Sequence, residues 1–508
     1  MPRYGIAAVL ICFAGSLVEC ARADYIVYDL GNLGSAISGV AQGGRALDRK
    51  DDDTRITLPG TVVVQPGRIV SYTHPNGSKV NFALDEVKII KARTAREEFN
   101  RRLSQAGKDP DKIMQAAVWG LKKALLPEFY RAVDKVLEID PSHQGAQLVE
   151  QVKKKIKEPL PDDPDAEKTF KSLVKQGTGM RVEKSKHFML LTDTPLKPEK
   201  AAKGEKQKTK NRAAERLDLL EQVYESFVLL FHAQDISLDI PSERMMVVLF
   251  EKYEDFRDCA KSLSPALASA SGFWDPITNI SYFFDYGSSA RFEMLKPIMT
   301  EMKKIEADAQ KARDPEMIRF NKVLRLLVEV EKQNSDITVV SHECCHQMAG
   351  NTGLLPRHVD IPKWVHEGLA TYFEAPASGG WAGIGAVSTE RLVFYRILAE
   401  RDEQHSNLDF VASDQIFDKA ISKSGILFGY AHAWGLTHFL FEKHLKELVT
   451  IYRVIGQMPP DVQLNPDILM KIFHRAFGTT DTKALNEEWR SYMRTIKTDL
   501  ELLGEASK

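Results

Sequence analysis

Between residues 25 and 90, apolar and polar positions alternate in short runs. Thr57–Gln65, Arg68–Thr73 and Lys79–Leu84 are separated by the turn clusters Pro66-Gly67 and His74-Pro-Asn-Gly77. Alternation with a period of two buries one face of a strand, so the stretch 24–91 predicts a small β module, with no catalytic grouping visible in it. Past residue 92 the period lengthens to that of helices. Further on, Ala214 to Phe231 repeats Leu217, Leu220, Val223, Phe227 and Leu230 at helical spacing. His187-Phe-Met-Leu-Leu-Thr192 and Met245–Phe250 read as buried strands, and Ser271–Phe284 as a hairpin closed by Asp275 to Asn279. Arg291 to Gln333 reads as long and helical, and amphipathic helices continue through 427–440, 445–456, 468–477 and 485–496, with Trp489 and Tyr492 as packing anchors.

The segment 92–158 resembles a degenerate tetratricopeptide-like helical pair, carried by Ala116–Leu121, Leu126–Val133 and Val136–Ala146, with Asp140-Pro141 ending a helix. One such pair cannot bury a core alone and has to pack on a neighbour, either as a partner-docking module or as a spacer. Prolines 159, 161 and 164 among acidic residues suggest a linker over 159–180. Pro195 to Lys210 is lysine-rich and reads as a solvated loop, and Ala375 to Gly383 as a glycine-rich loop.

The amino terminus changes the expected compartment. Arg3, an apolar run from Gly5 to Val18, and Ala21-Arg22-Ala23 before Asp24 form a secretory signal over 1–23, too short to span a bilayer. A lipid anchor through Leu17-Val-Glu-Cys20 fits less well, because Glu19 occupies a small-residue position. The mature chain is therefore expected to be exported, periplasmic or extracellular, with no membrane span. The 69 basic residues against 70 acidic ones give no global field toward nucleic acid. After removal of the signal, Cys259, Cys344 and Cys345 allow at most one disulfide, which excludes a disulfide-stapled scaffold. They read best as small buried side chains, with Cys345 one turn from His342 leaving a thiolate ligand open.

The candidate chemistry lies in Val339-Val-Ser-His-Glu-Cys-Cys-His-Gln-Met348. On a helix, His342 and His346 share one face, so two imidazoles can grip one zinc ion, and Glu343 can take a proton from a metal-activated water. The bland alternative is a buried helix whose histidines are satisfied by carbonyls. Catalytic zinc wants three protein ligands and an open position. A third histidine in the short spacing is excluded, since those offsets hold Ala349 and Thr352. The other solution is a glutamate on a following helix, and Asp360–Glu374 offers Glu367, with Asp360 as cap and Gly368 expected to let this helix close on the first.

HECCH followed by Trp364-Val-His-Glu-Gly-Leu-Ala-Thr-Tyr-Phe-Glu374 resembles the gluzincin clan of zinc metallopeptidases, whose second motif is WxxEGxAxY. It is more similar still to a family of exported bacterial gluzincin-like proteins of unassigned substrate. The resemblance covers roughly Ser185 to Ile496. It implies an α+β fold, a zincin-like metallopeptidase domain of small sheet plus helical lobe over 181–500. It also implies His342, His346 and Glu367 as ligands of Zn2+, Glu343 as general base, and a peptide or protein substrate. It further implies a tyrosine that steadies the oxyanion, for which Tyr430 is the candidate beside a core-packing role. His432 and His438 read as satisfied core or surface histidines. His366 stands where aminopeptidases of the clan carry Asn, and no GxMEN-like stretch occurs, which argues for an endopeptidase. Glu374 reads as a surface carboxylate rather than an orienter of a ligand histidine. The alternative function is a non-catalytic zinc-containing binding or scaffold protein, docking a partner through 92–158.

Overall fold

The structure, a computed structural model, describes residues 23–29, 55–175, 177–198, 209–374, 376–377, 380–417 and 425–506. The expected signal segment lies outside these apart from Ala23, as do most of the lysine-rich loop and part of the glycine-rich loop. The fold is α+β, with two five-stranded sheets among many helices. Among the described residues no helix is long and apolar enough to cross a membrane.

The alternating stretch forms β1 (Ala23–Asp29), β2 (Arg55–Gln65), β3 (Ile69–Thr73), β4 (Lys79–Ala83) and β5 (Val87–Ala92). They pair antiparallel in the order β4-β3-β2-β1-β5. Ile26, Tyr28, Ile56, Leu58, Val70, Tyr72, Val80 and Phe82 fill one face. That face needs a cover, and two helices from far along the chain provide it: α8 (Ala290–Ala312) through Met302, and α9 (Pro315–Asn351) through Val323, Leu324, Leu326 and Leu327. The module therefore sits on the amino-terminal half of the helix that carries the HExxH residues.

Helices α1 (Ala95–Ala106), α2 (Pro110–Lys122), α3 (Leu126–Ile139) and α4 (Gln144–Lys155) follow the sheet. A capping box between Thr94 and Glu97 opens α1, and Asp109 before Pro110 opens α2. Their apolar faces, including Ile113, Ala117, Phe129, Val133 and Val149, share one core with α6 (Arg212–His232) and with the Cys344–Ala349 stretch of α9. The neighbour that the helical segment requires is thus internal to the chain. Residues 159–180, expected as a linker, instead contain α5 (Pro164–Leu173), started by Asp163 at the cap and Pro164 in the first turn. Its Phe170 is fully buried, as one apolar side chain per turn suffices to seat a short helix on a sheet.

The second sheet has the order β6-β7-β8-β10-β9, from β6 (Arg181–Lys184), β7 (Phe188–Thr192), β8 (Met245–Phe250), β9 (Phe273–Asp275) and β10 (Ile280–Phe284). β7, β8 and β10 run parallel, and both edges are antiparallel. Strands buried on both faces are apolar throughout, as Met245–Phe250 is. Phe188 and Leu190 face the core with α6 and α9, while Met189 and Leu191 face α5 and α7 (Tyr253–Leu263). β9 and β10 form the expected hairpin, its turn tied by Asp275 to Ile277 and Thr278. Among the described residues no strand pairs with the outer edge of β9.

Beneath the sheet lie α10 (Lys363–Phe373), α11 (Thr389–Arg401), α12 (Leu408–Ala412), α13 (Gly425–Lys443), α14 (Leu445–Gly456), α15 (Pro466–Phe477), α16 (Lys483–Thr495) and α17 (Asp499–Ala506). α13 is buried along most of its length, and Trp364, Trp434 and Trp489 fill the centre of this helical lobe. Lys122 ties the lobe back to α2, its carbonyl accepting from the Ile384 amide and its ammonium 2.6 Å from Glu442.

Candidate metal centre

Helix α9 runs for 37 residues, about 55 Å at 1.5 Å per residue, and presents His342 and His346 on the side facing α10. Its hold on the sheet comes from Gln347, a residue the sequence reading passed over. The fully buried amide donates to the carbonyls of Met246 and Asn279 at 3.0 and 2.9 Å and accepts from Ser281 at 3.2 Å. Farther back, the buried carboxylate of Asp336 lies 2.5 Å from Arg216 of α6. These contacts fix the helix before and after the two histidines.

Helix α10 brings the third group. Asp360, expected as its cap, does not serve. The cap position is Pro362, and the Asp414 carboxylate accepts from the Lys363 and Trp364 amides at 3.0 and 2.8 Å. A proline side chain cannot accept, so a carboxylate from another loop satisfies the exposed N–H groups. Gly368 is also reassigned. A side chain there would meet Thr437 Oγ1 at 2.2 Å and the Ala433 carbonyl at 2.9 Å, so the glycine closes α10 on α13 and not on α9.

His342, His346 and Glu367 converge, one ligand atom from each lying within 4.8 Å of the others. The two Nε2 atoms are 3.0 Å apart, and the Glu367 oxygens lie 3.1 Å from His342 and 3.9 Å from His346. Ligands at about 2.0–2.1 Å around a tetrahedral ion sit roughly 3.3 Å from one another, so the spacing fits zinc. Glu367 Oε2 is buried with no hydrogen-bond donor aimed at it among the described residues, although His342 is close. A buried carboxylate oxygen facing two imidazole nitrogens suits a shared cation.

His342 Nδ1 is 2.7 Å from Glu374 Oε1, and Arg391 of α11 grips Glu374 at 2.7 to 3.2 Å through two nitrogens. A carboxylate can only accept, so Nδ1 carries a proton and Nε2 is the nitrogen turned to the site. Glu374 is therefore not the expected surface carboxylate, its side chain being only 9% exposed. It orients a candidate ligand in the carboxylate–histidine manner.

Glu343, Glu367 and Glu374 lie around the two histidines, and Arg391 pairs with Glu374. Burial pushes Glu343 up to about 7, with Glu367 adding to the rise. Burial alone would lower His342, but Glu367, Glu374 and the Glu343 charge hold it well above the ordinary histidine range. Burial also opposes the ionised forms of Glu367 and Glu374; His342 and His366 outweigh it for the first, and Arg391 followed by His342 for the second.

Tyr430 reaches the site from α13 with its phenol facing Glu367, and burial followed by that carboxylate raises its pKa. The Arg391 guanidinium lies 5.6 Å from its ring. His432 is buried between Ser406 and the Phe428 carbonyl, and His438 between the Gly385 carbonyl and Tyr492. Both are satisfied core histidines away from the metal centre. Cys344 and Cys345 are fully buried, and burial drives both thiols upward, so they are neutral packing groups. The Cys345 thiol points at the Leu369 carbonyl 3.7 Å away.

Residues 336–461 match a family described as a protein of unknown function, DUF1570. The match spans both candidate motifs and Tyr430 and leaves the first sheet outside it. No curated protein and no solved structure matches the chain.

Proposed function

We propose that the chain is an exported zinc-dependent endopeptidase whose 181–500 region is a zincin-like domain of the gluzincin kind. The observation that carries this reading is the convergence of His342, His346 and Glu367 with a buried Glu343 beside them. These three side chains would hold the ion, which when bound would lower the pKa of a water to about 7 and polarise a carbonyl. Glu343 takes the proton of the attacking water and returns it to the leaving amine. The Tyr430 hydroxyl turns from Glu367 to donate to the oxyanion as charge develops. The unpaired edge of β9 accepts an extended peptide by added-strand hydrogen bonding, and the Trp274 main-chain N–H on that strand already reaches Glu343.

The test combines metal content with hydrolysis of a peptide library by the mature chain. The expected result is about one zinc per chain, cleavage lost on chelation and restored by zinc, and a Glu343→Gln protein that keeps zinc and loses at least 10²-fold in rate. Zinc held without any cleavage would instead establish a non-catalytic zinc-binding protein. A chain that takes up no zinc would remove the metal reading altogether.

A further inference from the structure

His366 enters none of the steps above, yet it lies closer to the centre than its exposure suggests. Its ring is parallel to that of His346 within 12°, with centroids 3.6 Å apart, and its Nδ1 is 3.6 Å from Glu367 Oε1. An imidazole holds an ion in its own ring plane. Stacked flat on His346, His366 turns the face of its ring, and not a ring nitrogen, toward that candidate ligand.

His366 also lies beside Trp274 of β9, with centroids 6.3 Å apart and planes tilted by 34°. Trp274 is itself held. Its indole N–H donates to Asn279 Oδ1 at 3.1 Å, Asn279 pairs with Asn351 through two 2.8 Å bonds, and the ring lies on Gly350, where a side chain would come within 2.7 Å of it. A chain of contacts therefore runs from the free sheet edge through two aromatic faces to a metal ligand.

We propose that His366, stacked on His346 and neighboured by Trp274, is a positioning residue of the candidate metal centre: its flat face fixes the ring plane of His346, and Trp274 limits the movement of His366 in turn. The proposal rests on the metal reading given above. What fixes the plane of His346 is a planar ring of imidazole size; the Nδ1 contact with Glu367, at 3.6 Å, is a separate and weaker influence. Phenylalanine should replace His366 and alanine should not.

The experiment is zinc affinity of the full mature chain, read by competition with a chromophoric chelator, with cobalt absorption as a report on ligand geometry. His366→Ala is expected to weaken zinc about 10–100-fold, the range for losing a group that orients a ligand, and to alter the cobalt spectrum. His366→Phe should stay within about threefold of the parent, and Trp274→Ala should weaken binding while Trp274→Phe restores it. The double variant His366→Ala/Trp274→Ala should be no weaker than His366→Ala alone, because the two act in series. Equal affinity of the parent and His366→Ala overturns the proposal, as does a His366→Phe protein as weak as the alanine one. Should His366→Ala fold poorly, the phenylalanine variant and the Trp274 pair decide the matter alone. A parent chain that binds no zinc would overturn the functional reading and this inference with it, whereas a zinc-binding parent with unaffected His366 variants would overturn this inference alone.

Discussion

At the residue scale, Glu374 decides how the candidate metal centre is built. In the sequence it ends a helix before a glycine-rich loop, where carboxylates are ordinarily solvated. Only the fold shows His342 on one side of it and Arg391 on the other. Two partners 32 positions before and 17 after leave no local spacing to read. Glu343, by contrast, was legible with its histidines, because the helix period alone places all three. Removing the Glu374 carboxylate would strand the Nδ1 proton of His342 and leave Arg391 half-buried without its partner. Glu374→Ala is expected to weaken zinc about 10–100-fold. Glu374→Gln, which still accepts through its amide oxygen, should fall between parent and alanine. Equal affinities across the three proteins, measured by chelator competition, would show that His342 is oriented by packing alone.

At the element scale, most strands and helices were readable from their periods, α5 within the expected linker being an exception, whereas the contacts between elements were not. Gly368 is an example: a glycine beside Glu367 signals close approach, but nothing in the residue says to which helix. The partner is α13, whose Thr437 and Ala433 fill the space a side chain would need. Two effects oppose each other when Gly368 becomes alanine. Helix propensity favours alanine by about 1 kcal/mol, while overpacking in a closed interface costs about 1–3 kcal/mol. The second should win, because one of the colliding atoms is a main-chain carbonyl that cannot rotate away. Gly368→Ala should lower stability by about 1–2 kcal/mol in urea unfolding, and adding Thr437→Ala should recover part of it by removing the nearer contact. A variant as stable as the parent would mean that α13 shifts freely, and with it Tyr430.

At the scale of the whole molecule, α9 does two jobs along its length. Its first half closes the core of the amino-terminal sheet, and its second half carries the candidate ligands. The module 24–91 was visible as strands, but its seat was not, because its cover comes from residues more than 200 positions later, and a sequence period reports which face is buried without saying against what. Leu324 is 2% exposed in that seat and lies eighteen residues before His342, about 27 Å along the helix. Between the two halves, Asp336 is held by Arg216, and beyond the histidines Gln347 is held by the second sheet. A charge placed at Leu324 should therefore unseat the module without reaching the metal. Leu324→Asp buries an unpaired carboxylate, at a cost of several kcal/mol, so the module should become open to limited proteolysis and the chain should unfold at a lower temperature. Zinc affinity should stay within about threefold of the parent, since the anchors of the second half are untouched. A joint loss of module protection and zinc binding would show instead that the long helix transmits strain from one half to the other, and that the amino-terminal sheet sets the geometry of the candidate site.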